Sequence, residues 1–175
     1  MDELTVLALR AKAGDRRALE DLFTQVRPDV LRLCSYLGRP ADPNDLCQEA
    51  LERAFGSLHR FRGDGSARSW FLSIARRTCV DATRRMGRQR NLHSKLAASQ
   101  TSDFAHDPLG WKAVDDVLDQ LDDDRREAFV LTQFLGLTYP EAADAVGCPV
   151  GTIRSRVARA RSELLRIEAL SERSA

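Results

Sequence analysis

The sequence predicts an all-α protein built as two small helical domains joined by a flexible linker. Three observations carry this. Period-two alternation of apolar residues, the mark of a half-buried strand, is nearly absent, while helical spacing recurs along the chain. The stretch 87–110, GRQRNLHSKLAASQTSDFAHDPLG, loses that periodicity and collects Ser, Thr, Gln, Gly and Pro. A length of 175 residues with 43% hydrophobic and 30% charged content suits one domain or two small ones, each with a core. The expected layout is a four-helix domain over 1–88, a linker over 89–110 and a second helical domain over 111–170.

The elements follow in order. A first helix is expected from about Glu3 to Ala13, stopped by Gly14. Asp15 can cap the next, which carries Leu19, Leu22, Phe23 and Val26 on its apolar side. Pro28 allows a kink or a fresh start before Val30, Leu31, Leu33 and Leu37 lead to Gly38. RPADPN reads as a loop, Pro43 to about Arg60 as a helix, FRGDGS as a turn, and Ser66 to about Met86 as another helix. Helix resumes after the linker, to about Ala169.

Charge is uneven along the chain. The formal net charge is only +1, yet Arg60 to Lys95 holds ten Lys/Arg against two acids, and Asp103 to Glu127 holds nine acids against three bases. Such segregation is the footprint of a polyanionic partner, although solvated helix faces give a similar pattern. Arginine outnumbers lysine 24 to 3, which suits bidentate contact with phosphates and bases but also follows from a GC-rich genome.

Other classes find little support. Met1-Asp2-Glu3 is acidic with no apolar run behind it, so no signal peptide is expected, and no stretch approaches a membrane span. Cys34, Cys47, Cys79 and Cys148 are scattered, as are the three histidines, with no metal-ligand spacing. Buried free thiols in a cytoplasmic protein are the simple reading, and a redox pair of Cys34 with Cys47 is the alternative. No P-loop or nucleophile constellation suggests an enzyme, a metal or a cofactor.

The most informative stretch is LTYPEAADAVGCPVGTIRSRVARARSELL. Thr138 and Glu141 have capping-box spacing. A short helix follows with Ala142, Ala145 and Val146, Gly147 breaks it, and Pro149 suits the first turn of the next helix. Helix, glycine turn, helix is the helix-turn-helix pattern. On a 100° wheel Ile153, Val157, Ala160, Leu164 and Val150 share one face. Ser155, Ala158, Arg159 and Ser162 lie opposite, flanked by Arg154 and Arg161 on one side and Arg156 on the other. Small residues let a backbone approach base edges, and flanking arginines reach bases or phosphates. A basic amphipathic helix on RNA or a membrane is the competing reading, disfavoured by the absence of large apolar residues from the basic face.

In PNDLCQEALERAF, Leu46, Cys47, Ala50, Leu51, Ala54, Phe55 and Leu58 form the apolar face. Asp45, Gln48, Glu49 and Glu52 follow i, i+3, i+4, i+7 and line one acidic, amide-bearing stripe. In the next helix Phe71, Leu72, Ala75, Cys79, Ala82 and Met86 face inward, while Trp70, Arg77 and Arg84 recur every seventh residue on the other side. A tryptophan in a row of arginines fits base stacking with phosphate neutralisation. Packing of Trp70 beneath the N-terminal helix fits equally well.

Taken together, ADPNDLCQEALERAF, FRGDGSARSWFLSIARRTCVDATRR and LTYPEAADAVGCPVGTIRSRVARAR resemble bacterial extracytoplasmic-function (ECF) RNA polymerase sigma factors. The resemblance covers nearly the whole chain. It implies a σ2 domain and a σ4 domain on core RNA polymerase, contacting the β′ clamp helices and the β flap. Asp45, Leu46, Gln48, Glu49 and Glu52 would dock on the clamp helices. Trp70, Arg76, Arg77, Asp81, Arg84 and Arg85 would bind and melt the −10 element, giving the protein both double- and single-stranded DNA partners. Thr152, Arg154, Ser155, Arg156, Ala158, Arg159 and Arg161 would read the −35 element, with Arg156 and Arg161 on phosphates. Several members have Asn where Arg77 stands, which leaves base choice there open. Many are held off DNA by an anti-sigma factor wedged between the domains; the sequence neither names nor excludes one. The competing function is a stand-alone helix-turn-helix regulator without polymerase affinity, which would bind an operator tightly by itself, usually as a dimer.

Overall fold

The computed structural model describes residues 2–93 and 116–173, with side chains over 2–89 and 116–169. These residues are helical, with turns between, and no strand occurs among them. They fall into two compact units, one of the first half of the chain together with Asp144–Val146, the other of the remaining residues of the second half.

In the N-terminal unit, α1 (Glu3–Lys12) opens on Asp2, whose carboxylate accepts from the Thr5 amide at 3.0 Å. Thr5 is 2% exposed, and its Oγ1 also accepts from the Ala67 amide at 2.9 Å. One hydroxyl therefore ties the first helix to the start of the fourth. Gly14, at φ +96°, makes a turn that a side chain would resist. Asp15 then caps α2 (Arg16–Leu37) through the Ala18 amide.

Helix α2 runs unbroken through Pro28. The proline is exposed, so water can serve the carbonyl that its missing N–H leaves over. The buried stripe of α2 is Ala18, Leu22, Val26, Val30, Leu33 and Cys34. Leu19 and Phe23, expected on that apolar side, are instead 38% and 43% exposed. Each sits one residue past a stripe position, about 100° round the helix, and turns out of the core.

Asp42 caps α3 (Pro43–Gly56) by accepting from the Asn44 and Asp45 amides. This helix stops earlier than the apolar pattern suggests. Ser57 ends it, and a 3₁₀ turn (Leu58–Arg60) keeps Leu58 buried. After the glycine-rich turn, α4 (Ala67–His93) runs well beyond Met86. Residues 87–93, lacking apolar periodicity, continue the helix on backbone hydrogen bonding, so the expected linker over 89–110 opens as helix at 89–93, and its remainder lies outside the described residues. Helices α2, α3 and α4 pack on one another, and α1 packs across α2 and α4. Leu22, Leu33, Phe71 and Leu72 are at most 1% exposed at the centre, and each such side chain contributes roughly 1.5–3 kcal/mol of burial.

In the C-terminal unit, residues 116–118 are helical and Asp122 caps α5 (Asp123–Phe129). A π turn, Val130–Phe134, follows, with the Leu135 amide donating to the Val130 carbonyl at 3.0 Å. The capping box opens α6 (Tyr139–Val146) as its spacing suggested: the Glu141 amide donates to Thr138 Oγ1, and Glu141 Oε2 accepts from the Thr138 amide. Gly147, at φ +78°, turns the chain, and the Gly147 and Cys148 amides both close on the Ala143 carbonyl. Pro149 stands just before α7 (Val150–Arg173) rather than within its first turn. Leu131, Leu135, Ile153, Val157 and Ala160 are buried, and α5 packs along α7. None of the described helices is long and apolar enough to cross a membrane.

Candidate nucleic-acid and polymerase interface

The acidic stripe is carried by α3. Asp45, Gln48 and Glu52 are exposed and Glu49 is half-buried. Gln48 Nε2 donates to Glu52 Oε1 at 3.0 Å, linking the middle of the stripe to its C-terminal end. Leu46 does not join them: it is 3% exposed and packs beside Gly38.

Glu49 faces α4. Its carboxylate accepts from Arg53 of its own helix at 2.5 Å and from Arg85 at 3.2 and 3.3 Å. Arg53 also donates to Asp81 at 3.3 Å. Four charged groups thus link the acidic stripe to the basic helix. Arg53 was passed over in the sequence, although its i+4 spacing from Glu49 was a usable signal. All four are partly exposed, so the network contributes little to stability and mainly sets geometry.

Along α4 the sequence-nominated groups differ in state. Trp70 is half-buried; its ring centre lies 5.4 Å from Phe61 and 5.1 Å from Phe71 in an edge contact. Apolar neighbours therefore fix the indole, and part of it stays open to solvent. Arg77 folds back on its own helix, donating to the Ser73 carbonyl and Ser73 Oγ at 3.2 Å. Arg76 is half-buried, Asp81 is exposed and held by Arg53, and Arg85 is held by Glu49. Arg84 is exposed with no ion pair among the described residues. Arg68, further back, fastens α4 to α2 through Asp29 at 2.6 Å.

On α7 the two faces separate cleanly. Ile153, Val157 and Ala160 are at most 1% exposed. Arg154, Ser155, Ala158, Arg159 and Ser162 are exposed opposite them, and Thr152 is half-buried. Ala158, Arg159 and Ser162 line a shallow groove with Arg125, Glu163 and Arg166. Arg154 and Arg159 have no acceptor among the described residues. Two of the three flanking arginines are engaged: Arg156 with Asp124 of α5, and Arg161 with Gln133 Oε1 at 2.6 Å. Asp124 and Gln133 lie 32 and 28 residues away in sequence, too far for any local pattern to reveal.

The cysteines are all free. Cys34 pairs by proximity with Cys79, not with Cys47: the two sulfurs are 3.8 Å apart and both residues are at most 1% exposed. The Cys79 hydrogen bond and burial push the Cys34 thiol above its usual range, and burial raises Cys47. No group of three or more His, Cys, Asp or Glu among the described residues could hold a metal ion.

Two family models match. Residues 22–89 match Sigma-70 region 2, and residues 111–164 match Sigma-70, region 4. The chain is 41% identical over 167 residues to the ECF RNA polymerase sigma factor SigC of Mycobacterium tuberculosis, covering 94% of this chain and 90% of that protein. Among solved structures it resembles CnrH in complex with the cytosolic domain of CnrY, at a TM-score of 0.75 and 26% identity, over 99% of this chain and 100% of that one. It also resembles the sigma factor RpoE in complex with the anti-sigma factor NepR from Bartonella quintana, at 0.73 and 26%, over 86% and 96% of the two chains. With both Sigma-70 regions present in order, on the helices that carry the acidic stripe, the basic helix and the helix-turn-helix, this chain belongs to the ECF RNA polymerase sigma factors.

Proposed function

We propose that the two units divide promoter recognition, the first over about 1–88 and the second over about 111–170, on a tether that covers the rest. The observation carrying this is the unpaired state of Arg154 and Arg159 on a small-residue face, opposite a fully buried Ile153 and Val157. A helix so built can enter a major groove and offer guanidinium forks to base edges. Arg154, Ser155, Ala158 and Arg159 contact bases of the −35 element; Thr152, Arg156 and Arg161 contact its backbone.

In the first unit, Asp45, Gln48, Glu49 and Glu52 dock on the β′ clamp helices, with Leu46 as their support. Trp70, Arg76, Arg77, Asp81, Arg84 and Arg85 form the −10 surface. Capture of unstacked bases on that surface drives melting, so the chain supplies recognition and leaves nucleotide chemistry to the polymerase. Tethering two weak contacts raises their combined affinity and enforces element spacing. The second unit also meets the β flap. The site of action is the cytoplasm. An anti-sigma partner is proposed from the two complexes that this chain resembles.

The test is in vitro transcription by core polymerase plus this protein on a library of genomic fragments. Discrete start sites with a shared upstream and downstream element support the proposal. Failure to start transcription, alongside tight operator binding by the free protein, would point to a stand-alone regulator instead.

A further inference from the structure

We propose that Gln133 is a positioning residue for −35 binding, holding the Arg161 guanidinium toward the DNA backbone, with Thr132 setting the direction of the Gln133 amide. The inference rests on the reading of Arg161 as a phosphate contact. Its basis is a relay of hydrogen bonds. Thr132 is 8% exposed, and its Oγ1 donates to the Ala128 carbonyl at 2.8 Å. That oxygen accepts from Gln133 Nε2 at 2.9 Å. With the NH₂ end so engaged, the carbonyl end of the amide is directed outward, where Oε1 accepts from Arg161 Nη2 at 2.6 Å.

The backbone explains why Gln133 reaches Arg161. Both Thr132 and Gln133 lie in the π turn, Val130–Phe134. The extra residue in that turn shifts side-chain register, so Thr132 stays inside while Gln133 points out beside α7; such turns often mark functional sites. An arginine loses rotamer freedom when it binds a phosphate, and an acceptor that holds it beforehand removes part of that cost. A neutral amide does this without cancelling the charge. Asp124 on Arg156 is different, because a carboxylate both orients the guanidinium and neutralises it. Gln133 is thus the better-defined test, since replacing it leaves net charge unchanged.

The experiment uses holoenzyme bound to the most active promoter fragment from the library assay, with affinity measured across a KCl series. Variants are Gln133→Met, Arg161→Met, the double variant, Thr132→Val and Thr132→Ser, each checked for an unchanged melting curve. Arg161→Met should weaken binding and flatten the salt slope by about 0.9, one phosphate contact. Gln133→Met should weaken binding about three- to tenfold at low salt and flatten the slope in the same direction. The double variant should match Arg161→Met alone. Thr132→Val should reproduce part of the Gln133 effect, and Thr132→Ser, which keeps the hydroxyl, should restore wild-type binding. If Arg161→Met changes neither affinity nor slope, the phosphate reading itself fails. If Arg161→Met acts and Gln133→Met does not, only the positioning role fails. If the two add, Gln133 acts on its own and the proposal is overturned.

Discussion

The Glu49 carboxylate on α3 accepts from the Arg85 guanidinium on α4 at 3.2 and 3.3 Å. The proposed polymerase-docking stripe and the proposed −10 helix therefore share an ion pair. If Glu49 docks on the polymerase as proposed, a basic group there would compete with Arg85 for its carboxylate and free the guanidinium. Glu49→Ala should weaken binding to core polymerase about tenfold, as expected for a central charged contact. Arg85→Ala should leave core binding unchanged or slightly tighter, while lowering promoter opening. Titration of fluorescent protein against core polymerase separates the two. Intact core binding in Glu49→Ala would count against clamp docking.

A second relationship seats that stripe. A Cβ at Gly38 would collide with Leu46 Cδ1 and lie 2.6 Å from the Cys34 carbonyl oxygen. The backbone there is ordinary right-handed, so the demand is for space alone. Gly38→Ala should destabilise the N-terminal unit by about 1–3 kcal/mol. Because Leu46 lies in α3, core binding should fall with it. A melting temperature equal to wild type would show that α3 has slack.

Much of this was legible in the sequence for physical reasons. Helix caps depend on neighbours three residues away, so Asp15, Thr138–Glu141 and Gly147 could be placed from local chemistry. The buried face of α7 followed from periodicity, since Ile153, Val157 and Ala160 repeat on one side. Leu19 and Phe23 went astray because hydrophobicity says nothing about which of two adjacent stripes meets a neighbour. Arg156 with Asp124, Arg161 with Gln133 and Cys34 with Cys79 join residues far apart in the chain. Only the folded packing sets such pairs, and no spacing rule anticipates them.

The buried thiols give a chemical prediction. Cys34, Cys47 and Cys79 are at most 2% exposed, and Cys148 is half-buried. Thiolate is the reactive form, and burial suppresses it. In native protein a maleimide should label Cys148 first, and the other three only on unfolding. Mass mapping reads this directly. Rapid labelling of Cys34 or Cys79 without loss of structure would contradict the packing of α2 on α4.

Asp15 predicts a pH effect. The Ala18 amide and the Arg10 guanidinium hold its carboxyl below the usual range. A carboxyl depressed in the folded state stabilises above its unfolded pKa and loses that contribution as pH falls through the folded value. Asp15→Asn keeps a cap but drops the charge. The variant should melt slightly below wild type at neutral pH, and the gap should close as pH falls below about 4. High salt should narrow it too, because the Arg10 pair is exposed. A gap that widens in acid would remove Asp15 from the list of stabilising carboxylates.

Arg159 and Arg156 separate recognition from scaffolding on one helix. Arg159 is exposed and unpaired among the described residues, so Arg159→Ala costs the free protein nothing but a solvated side chain. It should lower −35-dependent transcription about tenfold or more, the loss expected for one bidentate base contact. Core pull-down should be unaffected. Arg156 binds Asp124 across to α5, with only 22% of its side chain exposed. Arg156→Ala should therefore lower transcription and melting temperature together. Run-off assays on promoters with an intact or scrambled −35 element distinguish the cases. The Arg159 effect should vanish when the element is scrambled, because no base contact is left to lose. An Arg159→Ala defect of equal size on both promoters would mean that the residue binds backbone, and base reading would pass to Arg154.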